Sequence, residues 1–206
     1  MTTIIESLAA FALASLIIEL TPGPNMTYLA LLAARHGRRP GYAAVLGVAA
    51  GLAIPGLLAS VGLGALINAA PPVYWALRWG GVLYLLYLAW EAWTDDSRSK
   101  GDVADDGRYF RRGLITNLLN PKAAVFYVAV MPGFVPADHA GWGTVSAFAA
   151  VYVLIATGVH AGIVTLAATV RPMLSDRRVL AVSGKIFAVA LVGVAIWVAY
   201  STRQPV

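Results

Sequence analysis

The chain has 206 residues, 59% hydrophobic and only 12% charged, against about 25% charged in a soluble domain, which excludes an ordinary soluble fold and points to an integral membrane protein. The net charge of +5 is not a nucleic-acid signature, because the basic residues lie in short connections between apolar runs, where they orient a chain in a bilayer. There is no cysteine, which removes thiol relays, CxxCH haem attachment and Cys-based metal sites.

The first residues, MTTIIESLAA, carry no Lys or Arg and include Glu6. The apolar run continues past any small-residue cleavage site, so this segment reads as a mature first helix. Apolar runs near the roughly 20 residues needed to span a bilayer predict spans at 7–34, 42–66, 73–93, 112–134, 143–169 and 180–201. Five spans with a re-entrant segment are the rival count. The connections are short except TDDSRSKGDVADDGRYFRR, a mixed-charge linker over about 95–111.

Arg35, Arg38 and Arg39 lie between spans 1 and 2. Arg98, Lys100, Arg108, Arg111 and Arg112 lie between spans 3 and 4, and Arg171, Arg177 and Arg178 between spans 5 and 6. The other two connections have none. The positive-inside rule puts the three basic connections in the cytoplasm and both termini outside. The expected fold is therefore an all-α, single transmembrane domain over 1–206. Its halves, about 1–94 and 112–206, form two inverted three-helix repeats joined by a cytoplasmic linker.

Both halves open with an interrupted apolar helix. Span 1 holds Thr21, Pro22, Gly23, Pro24 and Asn25; span 4 holds Asn120, Pro121 and Lys122. Proline removes a helical hydrogen bond and disfavours helix in the residue before it. It also suits the first turn of a new helix after a cap. Thr21-Pro22 and Asn120-Pro121 thus each read as a cap and a restart. In hydrocarbon the freed backbone groups must face protein or a wet cavity, and paired breaks of this kind point to a transporter binding site.

Helix N-termini attract anions, and Lys122 adds a full positive charge. Glu19, inside a span, is costly and functional by default; it could accept an ammonium or carry a coupled proton. His160, in span 5, is the second proton candidate. Blander readings stand beside these: a packing kink, a Lys122 that snorkels, a Glu19 that reaches water, a hydrogen-bonded packing histidine. Gly47 with Gly51, Ser60 with Gly64, and Gly158 with Gly162 are each four apart, a spacing that permits close helix contact.

LTPGPNMTYLALLAARHGRRPGYAAVLGVAAG resembles the first block of the LysE/RhtB family of amino-acid exporters. NLLNPKAAVFYVAVMPGFV resembles the block opening that family's second half; GGVLYLLYLAWEAW and SGKIFAVALVGVAIW also fit. The resemblance runs in order over nearly the whole chain. It implies export of an amino acid across the bacterial inner membrane, driven by an ion gradient, usually of protons. Carried over by position, its motif residues are Pro22, Gly23, Pro24, Asn25, Asn120, Pro121 and Lys122. Two departures appear: Gly133 replaces a common Gln, and the fifth span, with Thr157 and His160, lacks a common Asp. If that Asp serves cation coupling or cationic substrates, its loss tilts the expected substrate toward a neutral or small polar amino acid.

The expectation is a transporter rather than an enzyme, with no cofactor, no metal site and no nucleic-acid partner. Its partners are the amino acid and the lipid bilayer, with a homo-oligomer left open. The alternatives are an exporter of inorganic or metal ions on the same scaffold, and a non-transporting membrane assembly protein.

Overall fold

The structure, a computed structural model, describes residues 4–21, 23–61, 71–94, 106–170 and 177–201. These residues are helical, with no strand among them. The long helices are α1 (Ile4–Leu20), α2 (Pro24–His36), α3 (Arg38–Ser60), α4 (Pro71–Thr94) and α5 (Asp106–Leu118). A short α6 (Pro121–Val125) runs into a π turn (Phe126–Val130) and two 3-10 turns (Met131–Gly133, Ala137–His139). α7 (Trp142–Ala167) and α8 (Arg177–Ser201) complete the order. Among the described residues, two helices are long and apolar enough to cross a membrane: Arg38–Ser60 and Trp142–Val170. The α1–α2 pair, bent by 58°, makes a third if it is one broken span.

Several expected boundaries move. The fourth span is no single helix from 112; α5 begins at Asp106, so 106–111 of the expected linker is helical. Residues 95–105 and 62–70 lie outside the described set. The second span's helix ends at Ser60, and the first connection shrinks from seven residues to one. Only Gly37 separates α2 from α3, at φ 93 and ψ −173, a region open essentially to glycine alone. Its N–H donates to the Ala33 carbonyl at 2.8 Å, and its own carbonyl accepts from Gly41. Gly37→Ala is therefore expected to cost about 1–3 kcal/mol, measurable as earlier unfolding of the detergent-solubilised protein.

α3 is the centre of the bundle, packed on α5 and α7, while α4 packs on α8. The α3–α5 crossing is backbone on backbone. A Cβ on Gly47 would lie 2.0 Å from the Phe110 carbonyl oxygen, and one on Gly113 would lie 2.1 Å from that of Ala44. A Cβ on Gly51 would lie 2.9 Å from the Asn117 side chain and 3.0 Å from the Leu114 carbonyl oxygen. Of the three small-residue pairs, Gly47 with Gly51 is thus a real contact, and Gly64 lies outside the described residues. Gly158 and Gly162 are exposed, with nothing within 4 Å of a built Cβ. That pair faces away from the bundle.

The described helix ends beside the basic connections gather at one end. Arg39 pairs with Asp106 at 2.9 Å, and Tyr109 Oη lies 3.4 Å from His36 Nδ1. Tyr42 Oη shares a 2.7 Å hydrogen bond with Thr165 Oγ1 near the end of α7. The first turns of α3 and α5 and the last turn of α7 therefore share a side. Exposed pairs such as Arg39–Asp106 contribute only about 0–1 kcal/mol; the arrangement is held by the glycine crossing.

Candidate functional site

The two breaks meet. α1 ends at Leu20, where the Thr21 hydroxyl donates to the Ile17 carbonyl at 3.1 Å and the Thr21 N–H to that of Ile18 at 3.1 Å. α2 restarts at Pro24 with Gly23 as its N-cap, and no side chain caps it. Thr21 is thus a terminator of α1, not the expected cap of α2, because its hydroxyl is already spent on the turn behind it. Pro22 lies outside the described residues. The second break behaves as expected. Asn120 is the N-cap, its Oδ1 accepting from the Lys122 N–H at 3.0 Å, with Pro121 in the first turn.

Asn25, in the first turn of α2, donates from Nδ2 to Asn117 Oδ1 at 2.7 Å, buried. Lys122 bridges the breaks from the other side. Its Nζ donates to the Ile18 carbonyl at 2.6 Å and the Thr21 carbonyl at 2.9 Å. It neither snorkels to the surface nor stands free as an anion receptor; it donates to two carbonyls at the end of α1, of which that of Ile18 also accepts from the Thr21 N–H.

Glu19 is buried one turn before the break. Tyr152 Oη donates to its Oε1 at 2.8 Å. His160 Nε2 lies 3.3 Å from Oε2, within ion-pair distance but outside hydrogen-bond alignment. His160 is 1% exposed, and neither ring nitrogen has a hydrogen-bond partner. α7 supplies both groups from one face, since Tyr152, Ala156 and His160 follow one another at four-residue spacing. Ala156 between them is fully buried. Tyr152 is held by Phe126, stacked at 3.8 Å, and Tyr127, edge-on at 5.3 Å.

Glu19, Asn25, Asn120, Lys122, Tyr152 and His160 all border one cavity. Its volume is ≈ 10 Å³, at the lower limit for a single water and far too small for an amino acid. The site as it stands has no room for such a ligand. A second cavity of ≈ 10 Å³ adjoins Asn120 and Pro24, bordered by Tyr84, Leu85, Thr116 and Leu119, with no charged residue in its lining.

Residues 16–202 match the LysE type translocator family. The chain belongs to that family. A homoserine/homoserine lactone efflux protein of Salmonella typhimurium is 32% identical over 130 residues, 61% of this chain and 63% of the relative. Leucine efflux proteins of Salmonella choleraesuis and of Enterobacter sp. (strain 638) are 36% and 32% identical over 138 and 139 residues. Those matches cover 64% and 65% of this chain, and 65% and 66% of the relatives. The chain thus spans less than two thirds of the length of each of these curated relatives. No solved structure gives a significant match.

In this LysE-type chain the structure brings together Glu19, Gly23, Asn25, Asn120, Lys122 and His160, all expected from sequence. Thr21 contributes its backbone carbonyl, while its side chain is exposed and turned to α1. Sequence reasoning missed Tyr152 and Asn117. For Tyr152 a signal existed: it is polar-tipped, eight residues before His160, and so on the same helical face. Asn117 lies in the quoted NLLNPK run, yet only the fold pairs it with Asn25.

Proposed function

We propose that this protein is a secondary transporter that exports a neutral or small polar amino acid from the cytoplasm of a bacterium, driven by protons. The observation that carries the reading is the meeting of two interrupted helices around a buried Glu19. The end of α1 offers carbonyls and a carboxylate, both acceptors for an ammonium. The first turn of α2 offers backbone N–H groups and a partial positive charge to a carboxylate. Together they fit an amino-acid zwitterion. The uncharged lining of the adjoining cavity fits a neutral side chain. Relatives named for efflux of leucine and of homoserine support the substrate class.

In this reading the chain spans the inner membrane six times as two inverted halves, with both termini outside. The halves move against one another around the breaks. Glu19 and His160 carry the coupled proton, bound from outside and released inside as the site turns. The protein acts as a translocator and performs no covalent chemistry.

The test is uptake of a labelled amino-acid mixture into inside-out vesicles, with and without an acidic lumen. The expected result is gradient-dependent accumulation of one or a few neutral amino acids. Folded protein that accumulates none of them would overturn the reading.

A further inference from the structure

We propose that Lys122 is a built-in competitor for the substrate: its ammonium occupies the very subsite, made by the Ile18 and Thr21 carbonyls, that takes the substrate's ammonium. This rests on the amino-acid reading above and specifies which atoms would hold one pole of the ligand.

The chemistry is a matter of matched groups. A lysine Nζ has three donors and one positive charge, and so does the ammonium of an amino acid. Lys122 uses two of those donors on Ile18 and Thr21, at 2.6 and 2.9 Å. The same cavity is bordered by the Glu19 side chain, the anionic partner an ammonium seeks. A free amino acid entering here meets acceptors already occupied by a chemically equivalent group on a flexible four-carbon stem. Its entry requires Lys122 to leave.

Displacement has a mechanical consequence. Lys122 stands in the first turn of α6, and its carbonyl partners lie on the end of α1. With the Asn25–Asn117 bond it forms the described side-chain ties between the two breaks. A substrate that takes over the carbonyls unlatches α6 from α1, so occupancy of the site and freedom of the two halves are coupled. An empty carrier stays latched and closed.

The test uses the full chain, purified in detergent or nanodiscs, with Lys122→Met, Lys122→Gln in case the first variant folds poorly, and Lys122→Arg as a variant that keeps the cation. Equilibrium binding is measured for labelled leucine and homoserine, for their 2-hydroxy-acid analogues lacking the ammonium, and for labelled methylammonium. Removing a competitor that fills the subsite most of the time should tighten amino-acid binding by about tenfold or more. The hydroxy acids should gain nothing, and methylammonium should bind the neutral variants while failing to bind the wild type and Lys122→Arg. Equal gains for amino and hydroxy acids would overturn the proposal, as would amino-acid affinity that is unchanged or weaker in folded neutral variants. Methylammonium binding without any amino-acid binding would uphold the subsite and remove the amino-acid reading. Amino-acid binding that ignores Lys122 would do the reverse.

Discussion

Glu19→Gln is expected to abolish gradient-driven accumulation in inside-out vesicles while leaving the yield of folded protein near wild type. Glutamine keeps the shape and one oxygen acceptor for Tyr152, whose hydroxyl lies 2.8 Å from the carboxylate. What disappears is the charge. With the charge goes the site of the coupled proton, so gradient-driven uptake should fall to the level seen without a gradient. Exchange of substrate across the membrane without a gradient should survive better than net accumulation, because it needs no proton. His160→Asn, which removes the group 3.3 Å from the carboxylate, is the companion variant. Wild-type accumulation by folded Glu19→Gln would leave an exporter whose proton is carried elsewhere.

The largest effect on stability is expected from the α3–α5 crossing. In Gly47→Ala the new methyl would sit 2.0 Å from the Phe110 carbonyl oxygen and 2.8 Å from the Leu114 nitrogen. In Gly113→Ala it would sit 2.1 Å from the Ala44 carbonyl oxygen. Both obstacles are backbone, so no rotamer change clears them, and the helices must separate. Overpacking typically costs about 1–3 kcal/mol and sometimes more; here each change should reach the top of that range. Gly158→Ala and Gly162→Ala are the matched controls, since a methyl there meets nothing within 4 Å. Thermal unfolding in one detergent should separate the pairs clearly. A Gly47→Ala protein as stable as Gly158→Ala would refute the described crossing.

The pairs Gly47 with Gly51 and Gly158 with Gly162 also mark how far the sequence could be read. Each is a pair of glycines four apart in an apolar helix, and the one-dimensional pattern is identical. In a membrane protein the lipid-facing side is as apolar as the core, so hydrophobic patterning does not say which side turns inward. The breaks were legible because proline and asparagine act locally: Pro121 begins a helix where expected, with Asn120 as its cap, while the first restart falls at Pro24, two residues beyond the expected Pro22. Thr21 misled because a threonine hydroxyl serves equally well to end the preceding helix. The reach of Lys122 to Ile18, over 104 positions of chain, follows from how the halves dock and from nothing near Lys122 itself. The same holds for Tyr152, which finds Glu19 across 133 positions.

The single-residue joint at Gly37 limits where a passage can form. Two helices whose facing ends are one residue apart cannot splay there, since consecutive Cα atoms are only about 3.8 Å from one another. Any route from the arginine-bearing end must therefore open beside a different neighbour of α2, with α2 pivoting on the Gly37 joint. The arm from that pivot to Gly23 is the 13-residue α2, about 20 Å long. A swing of about 10° over that arm carries the break through about 3–4 Å. That exceeds the stretch any hydrogen bond survives, so a modest tilt is enough to pull the carbonyls of the α1 end away from the lysine that holds them.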